Sequence, residues 1–157
     1  MCIRFLSLCF AAALSAAAQN YDGPLPPKPD VPYIRHAASL LPTEVLDAKE
    51  EKGKKDDVTY VIDGPASTAR TPLASPAFVM QFDKLVAAKL SLYKLELRNG
   101  RREITFTPKK QPKAIGVELT HLNHTKLYRL EVEESLEPGE YAFSSDGTNQ
   151  VFCFQVY

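Results

Sequence analysis

Apolar residues recur at every second position in short segments along most of this chain, and this period constrains the fold more than any other feature. A strand places alternate side chains on opposite faces, whereas a helix needs a period near 3.6. Many short strands separated by turn residues are typical of a sandwich or barrel. The chain is therefore predicted to be all-β, an antiparallel β-sandwich of about 8 to 10 short strands. The alternation places strands at 33–36, 41–49, 58–63, 77–82, 92–98, 101–107, 115–119, 127–133, 140–144 and 150–156.

The stretch YKLELRNGRREITF, residues 93–106, provides a local test of this pattern. Asn99-Gly100 is the strongest two-residue hairpin signal, because both residues tolerate a positive φ. A loop there pairs residue 98 with residue 101 and brings the apolar side chains of both strands to one face. These side chains are Tyr93, Leu95, Ile104 and Phe106. The predicted rungs run as far as Tyr93 opposite Phe106.

The first 18 residues, MCIRFLSLCFAAALSAAA, have the pattern of a secretory signal peptide. Arg4 precedes a short apolar run, and Ala16 and Ala18 provide the small residues of a cleavage site. The apolar run is shorter than the about 20 residues that span a bilayer. We therefore expect export to the periplasm or the extracellular space, with no integral membrane segment after cleavage.

Residues 19–32 form a proline-rich leader, and residues 33–157 form the predicted β-sandwich domain. Prolines fix φ and lack the backbone donor that a sheet requires. We expect the leader to be extended, as a stiff spacer or as a strand along the edge of the sheet.

Charge and cysteine content limit the class of protein. Lys and Arg together number 19, as do Asp and Glu, and the two signs are interspersed, so no electrostatic footprint for nucleic acid is present. Signal cleavage leaves Cys153 as the one cysteine, which excludes an intramolecular disulfide and favours a bacterial envelope or secreted protein. The flanking Phe152 and Phe154 are expected to raise the pKa of this thiol, the wrong direction for a nucleophile.

Three segments are candidate sites, although none of them names a ligand. The charged run 48–58 is predicted to be a long exposed hairpin. The segment 64–76 is predicted to cross from one sheet to the other, and long connections of this kind are either packed or functional. Arg101-Arg102 is predicted to be a solvated hairpin end, with an anion-binding tip as the alternative.

The sequence predicts no catalytic, cofactor-binding or metal-binding residues. His121 and His124 lack a third ligand nearby, and Asp56-Asp57 lacks the alternating oxygen ligands of a calcium loop. No G-x-S-x-G elbow, phosphate-binding glycine loop or H-E-x-x-H helix occurs. Only tertiary structure could bring isolated acids together as the carboxylate pair of a glycosidase. These acids are Asp47, Asp63 and Asp83.

The C-terminal segment resembles the last three strands of immunoglobulin-like and fibronectin-type-III-like sandwiches. A strand, the joint LEPGEY, a second strand, the turn SDGTNQ and the final strand VFCFQVY follow one another. The resemblance implies that Tyr141 packs under the joint and that its hydroxyl bonds back to the chain. The chain departs from these folds in having no tryptophan. As a whole it also resembles uncharacterised secreted bacterial proteins, which carry no activity over to it.

Two finer predictions concern the backbone. Pro138-Gly139 in a type II turn needs a positive φ at Gly139, so Gly139→Val is expected to unfold the domain or slow its folding. Asp83 is predicted to cap a helical turn at 84–88, because its carboxylate can accept the free amides of a first turn.

The favoured functional hypothesis is a non-catalytic binding module with an unknown protein or glycan partner. Two alternatives remain open. The first is a subunit of an envelope assembly, in which the leader or the final strand pairs with another chain. The second is an enzyme acting on polysaccharide.

Overall fold

The computed structural model describes residues 20–124 and 126–157. The predicted signal peptide, residues 1–18, lies outside the described residues. Regular structure in the described residues is β-strand apart from two single 3₁₀ turns, Lys54–Asp56 and Ala87–Lys89. None of the described helical segments is long and apolar enough to cross a membrane. The all-β prediction is confirmed.

The described residues form thirteen strands, more than the sequence pattern indicated. They are β1 (Tyr33–His36), β2 (Ser39–Pro42), β3 (Glu44–Asp47), β4 (Lys49–Lys52), β5 (Val58–Ile62), β6 (Arg70–Thr71), β7 (Ala77–Gln81), β8 (Leu90–Arg98), β9 (Arg101–Phe106), β10 (Val117–His121), β11 (Leu127–Val132), β12 (Gly139–Ser145) and β13 (Gln150–Val156).

The strands form two sheets that pack face to face. The smaller sheet has the order β10-β11-β7-β1-β2, and the larger has the order β3-β13-β12-β8-β9-β5-β4, with β6 pairing beside β13. Phe78 of the smaller sheet lies in the main core and makes edge contacts with Phe143 and Phe154 of the larger sheet, at centroid distances of 4.9 and 5.0 Å. These contacts bury the facing sides of both sheets. The predicted antiparallel sandwich is confirmed.

Eight of the strands follow the connectivity of an immunoglobulin-like sandwich. Taken in chain order, β1, β7, β8, β9, β10, β11, β12 and β13 correspond to strands A, B, C, C′, D, E, F and G. The smaller sheet then contains D-E-B-A, and the larger contains G-F-C-C′. The remaining strands, β2 to β6, are inserted between A and B.

The insertion closes the larger sheet into a barrel. β3 pairs with β13 at one edge and β4 pairs with β5 at the other, yet only Ala48 separates β3 from β4. A flat sheet of seven strands would hold its edges roughly 29 Å apart, at about 4.8 Å per strand spacing. Two residues of chain reach only about 7 Å. The sheet must therefore curl until its edges meet at Ala48.

The predicted strand 41–49 is wrong as a single strand, because the chain changes sheet within it. Thr43, between β2 and β3, donates both its backbone N–H and its hydroxyl to the carbonyl of Pro32, at 3.1 and 2.8 Å. This anchors the point where the chain leaves the smaller sheet. The short strand β6 was not predicted, since two residues carry no periodicity.

The predicted helical turn at 84–88 is also wrong. The chain there is irregular until the 3₁₀ turn Ala87–Lys89. Asp30, and not Asp83, accepts the free amides: those of Asp83 and Lys84 at 2.9 Å and that of Leu85 at 3.1 Å. Burial raises the pKa of Asp30, but these three donors outweigh it and hold the pKa below its usual value.

The joint before β12 confirms one prediction and corrects another. The Tyr141 hydroxyl donates to the Glu137 carbonyl at 2.8 Å, and Tyr141 and Leu136 both lie in the main core, as expected for a tyrosine corner. Gly139 is not among the glycines with positive φ, so the type II turn is wrong. Gly139 instead begins β12. A Cβ there would meet the flexible end of Lys94 at 3.4 Å, an ordinary contact.

The described part of the leader, residues 20–32, lies against the smaller sheet. Tyr21 is buried with Val79, Leu122 and Leu127, and its backbone N–H donates to Oδ1 of Asn123 at 3.2 Å. Its hydroxyl donates to the carbonyl of Pro24 at 2.8 Å, which folds the leader back on itself. The leader therefore contributes its own small cluster to the packing.

Candidate functional site

The interior of the barrel contains the side chains that face away from the smaller sheet. Tyr141 and Phe143 of β12 point into the main core, so Glu140, Ala142 and Ser144 point into the barrel. The other barrel strands alternate in the same way. Polar and apolar side chains segregate within this interior, and its two ends differ in character.

A buried arginine dominates one end. Arg102 of β9 is only 1% exposed, and its guanidinium donates to the carbonyls of Gly64 and Asp63 at 3.1 and 2.9 Å. Its Nη1 donates to Glu44 Oε2 and to Ser67 Oγ, both at 2.8 Å. These contacts join β9 to both ends of the insertion.

Glu140 of β12 completes this group. Its Oε2 accepts the backbone N–H of Ser67 at 3.1 Å and the Ser67 hydroxyl at 2.5 Å, and lies 3.8 Å from Arg102 Nη1. Its Oε1 is buried and has no hydrogen-bond partner among the described residues. We name Glu44, Ser67, Arg102 and Glu140 the arginine cluster. The cluster ties four separate segments of chain together.

The arginine cluster tests two of the predictions made from the sequence. The solvated hairpin end is wrong for Arg102, which is buried, while Arg101 is partly exposed and pairs with Glu51 at 3.0 Å. The connection 64–76 does cross between the sheets, from β5 to β7, as predicted. Ser67 within it is buried in the cluster, so this loop is packed at that point.

The other end of the interior holds a cavity of about 370 Å³, which we name the barrel cavity. Its deep wall is apolar and includes Ala142, Leu95 and Ile104. Ala142 and Ile104 lie beyond Glu140 and Arg102 on β12 and β9, and Leu95 of β8 pairs with Glu140 at the boundary between the two groups. The cavity and the cluster therefore share one interior but occupy different ends.

Three aromatic rings form one side of the barrel cavity. The Phe106 ring packs edge-on against Tyr60 and Tyr93, at centroid distances of 5.8 and 5.7 Å and interplanar angles of 86° and 78°. Such perpendicular contacts are favourable aromatic geometry. The rings join β5, β9 and β8 across the wall.

The hairpin at Asn99-Gly100 contributes both of its strands to the barrel cavity. Its pairing is confirmed from Arg98–Arg101 to Glu96–Glu103, but the two further predicted rungs, Leu95–Ile104 and Tyr93–Phe106, do not form between β8 and β9. From Leu95 back to Leu90, β8 pairs with β12. The carbonyl of Leu92 accepts the N–H of Ile115 at 2.8 Å. The four apolar side chains that the period placed on one face, beyond the last rung, all line the cavity. They are Tyr93, Leu95, Ile104 and Phe106.

The turn between β12 and β13 forms a polar rim to the barrel cavity. Residues 144–149, SSDGTN, all line it, and they bring hydroxyl, amide and carboxylate groups to one side. The rim is anchored, because the carbonyl of Asn149 accepts the N–H of Ala48 at 2.8 Å and Thr148 Oγ1 accepts the N–H of Gln150 at 3.1 Å. Sequence reasoning read this stretch only as a turn; its position beside aromatic strand residues required the fold.

Cys153 lies within the barrel between the two ends. Burial raises the pKa of its thiol to about 12, which the nearby Arg102 only partly offsets. The predicted rise in the pKa is confirmed, but the flanking phenylalanines do not cause it: Phe152 and Phe154 point into the main core, and the thiol is buried among the side chains of the barrel.

The other residues considered from sequence lie elsewhere. Asp63 forms an exposed ion pair with Lys49, and Asp47 and Asp83 are exposed. The run 48–58 forms the predicted exposed hairpin between β4 and β5. Within residues 20–124 and 126–157, no three His, Cys, Asp or Glu side chains are grouped to hold a metal ion.

Comparisons with protein-family models, with curated proteins and with solved structures found no match for this chain.

Proposed function

We propose that this protein is an exported, non-catalytic binding module and that the barrel cavity is its ligand site. The observation that carries the proposal is an open apolar cavity with polar groups converging on one side. Ligand sites in proteins usually have about 300–1,000 Å³, mostly apolar walls and a few placed polar groups, and the mouths of β-barrels are common locations. The barrel cavity has each of these properties.

A non-catalytic role agrees with the chemistry of the barrel interior. The titratable groups that lie together, Glu44 and Glu140, surround Arg102 at the end away from the cavity. Carboxylates committed to a buried guanidinium are not available to a substrate. The polysaccharide-acting enzyme therefore has less support than the binding module.

The proposal is tested by blocking the cavity. Ser144 is half-buried on the cavity side of β12, so Ser144→Phe would place a ring inside the mouth. Thr105 is exposed on the outer face of β9, where its hydroxyl bonds that of Thr59, so Thr105→Phe adds the same ring outside the barrel. The pair separates loss of cavity volume from the general effect of an added aromatic residue.

Thermal shifts would be measured with a collection of neutral, anionic and cationic small molecules and short oligosaccharides. We expect at least one compound to raise the melting temperature of the wild type and of Thr105→Phe, but not of Ser144→Phe. Mass spectrometry should recover that compound unchanged. The proposal fails if no compound stabilises the wild type, or if Ser144→Phe responds to all that do.

A second candidate, a subunit of an envelope assembly, is favoured by the edges of the smaller sheet. In the described residues β2 and β10 each pair on one side only, and Leu41 and Leu119 on them are exposed. Such edges are sites for strand addition by another chain. Leu119→Lys should abolish capture of a partner from envelope extract if this candidate is correct, while Ser144→Phe should leave capture unchanged.

A further inference from the structure

We propose that the barrel cavity takes an uncharged compound that has a flat apolar ring and one hydrogen-bonding end. The inference rests on the proposed function and names the class of ligand. It follows from the volume of the cavity, the geometry of its aromatic wall and the distribution of its charged and polar groups.

The volume sets the scale of the ligand. An apolar cavity of about 150 Å³ is enough to hold benzene. The barrel cavity, at about 370 Å³, has room for one ring with a short substituent. A folded protein segment or a long oligosaccharide could enter only in part.

The aromatic wall favours a planar apolar group. Phe106 stands nearly perpendicular to both Tyr60 and Tyr93, so the three rings form adjacent walls at close to right angles. A ring inserted beside them can stack on one wall while its edge meets another, the two preferred aromatic arrangements. The apolar floor at Ala142 and Ile104 then surrounds the rest of the ring.

The charge of the lining excludes an anion. Among the described lining residues, the charged side chain is that of Asp146, which is exposed on the rim. The lining has no Lys, Arg or His to pair with a carboxylate or phosphate, and burying an unpaired charge costs far more than burying a neutral polar group. A cation gains little in return, since water screens the exposed carboxylate of Asp146.

The polar groups lie on one side only, and this orients the ligand. Ser144, Thr148 and Asn149 belong to the rim, while the deep wall offers apolar side chains. A hydroxyl or carbonyl of the ligand would therefore meet the rim, and the ring would enter first.

The test uses three probes with one skeleton and different charge: 2-phenylethanol, 2-phenylethylamine and phenylacetate. Each would be titrated into ¹⁵N-labelled protein while the amide signals of residues 144–149 are followed. We expect saturable shifts with 2-phenylethanol, weaker binding of the amine, and binding of phenylacetate at least about tenfold weaker than that of the alcohol. Phe106→Leu should weaken the binding of 2-phenylethanol by about two- to tenfold. Tyr157→Leu, which removes an exposed ring, should leave this binding unchanged.

The outcomes separate this inference from the proposed function. Equal binding of phenylacetate and 2-phenylethanol would overturn the assignment of an uncharged ligand. If none of the probes binds but the wider collection yields a compound whose binding Ser144→Phe prevents, the ligand class inferred here is wrong and the proposed binding module is supported. If the collection also yields nothing, both fall.

Discussion

The arginine cluster and the barrel cavity occupy the two ends of one barrel interior. The cluster packs polar groups so closely that Arg102 is almost fully buried and donates to four acceptors. The cavity has apolar walls and polar groups confined to its rim. Buried polar groups that satisfy one another hold a structure together, whereas apolar space with a polar rim is available to a ligand. We therefore expect the cluster to stabilise the fold and propose the cavity as the end that binds a ligand.

The largest expected effect comes from removing the centre of the arginine cluster. Arg102→Met leaves the buried Glu140 and the partly exposed Glu44 without the guanidinium, and breaking a buried pair in this way costs about 3–5 kcal/mol of unfolding free energy. Urea unfolding measures this loss. Arg98→Met on the same hairpin removes an exposed arginine and should cost less than about 1 kcal/mol. Similar losses in both variants would show that the cluster does not hold the barrel closed.

The thiol between the two ends reports how tightly the interior is packed. With a pKa of about 12, Cys153 has a thiolate fraction on the order of 10⁻⁴ at pH 8, against about a quarter for a free thiol. We expect a disulfide reagent to label the folded protein at least a hundredfold more slowly than the urea-unfolded chain. Equal labelling rates would mean that the cavity extends past Ala142 to Cys153.

Tyr141→Phe tests the joint that leads into the arginine-cluster end of β12. The hydroxyl donates to the carbonyl of Glu137, so its removal should lower the unfolding free energy by about 1 kcal/mol. Tyr157→Phe alters an exposed tyrosine and is the control. Equal melting temperatures for Tyr141→Phe and the wild type would show that the hydrogen bond of the corner does not stabilise the fold.

The last comparison is between two glycines, one at the start of β12 and one in the turn that follows it. Gly147, in the rim of the cavity, has a φ of +82°, so Gly147→Ala should cost about 1 kcal/mol through backbone strain alone. The backbone of Gly139 is not in the left-handed region, so Gly139→Ala should change the unfolding free energy by less than about 0.5 kcal/mol. A larger loss for Gly139→Ala than for Gly147→Ala would restore the requirement for glycine at the joint.

Features set by neighbours in sequence were predictable. The alternation placed β1 and β13 at their observed bounds, and Asn99-Gly100 defined the hairpin from its own turn chemistry. The resemblance to immunoglobulin-like sandwiches implied the role of Tyr141, whose partner, Glu137, is only four residues away. In each case the responsible interactions act over a few residues, so the local pattern contains them.

The sequence by itself thus determined the all-β class, most of the strands and the packed thiol, whereas the fold alone decided the barrel and its two ends. Arg102 reads as a solvated hairpin residue until Glu44 and Ser67, 58 and 35 residues away, meet it. Asp30 replaces Asp83 as the acceptor because the chain returns to it after about fifty residues. The barrel cavity likewise needs β5, β8, β9 and the turn after β12 together. Contacts between distant segments depend on the closure of the whole sheet, and no local period encodes that closure.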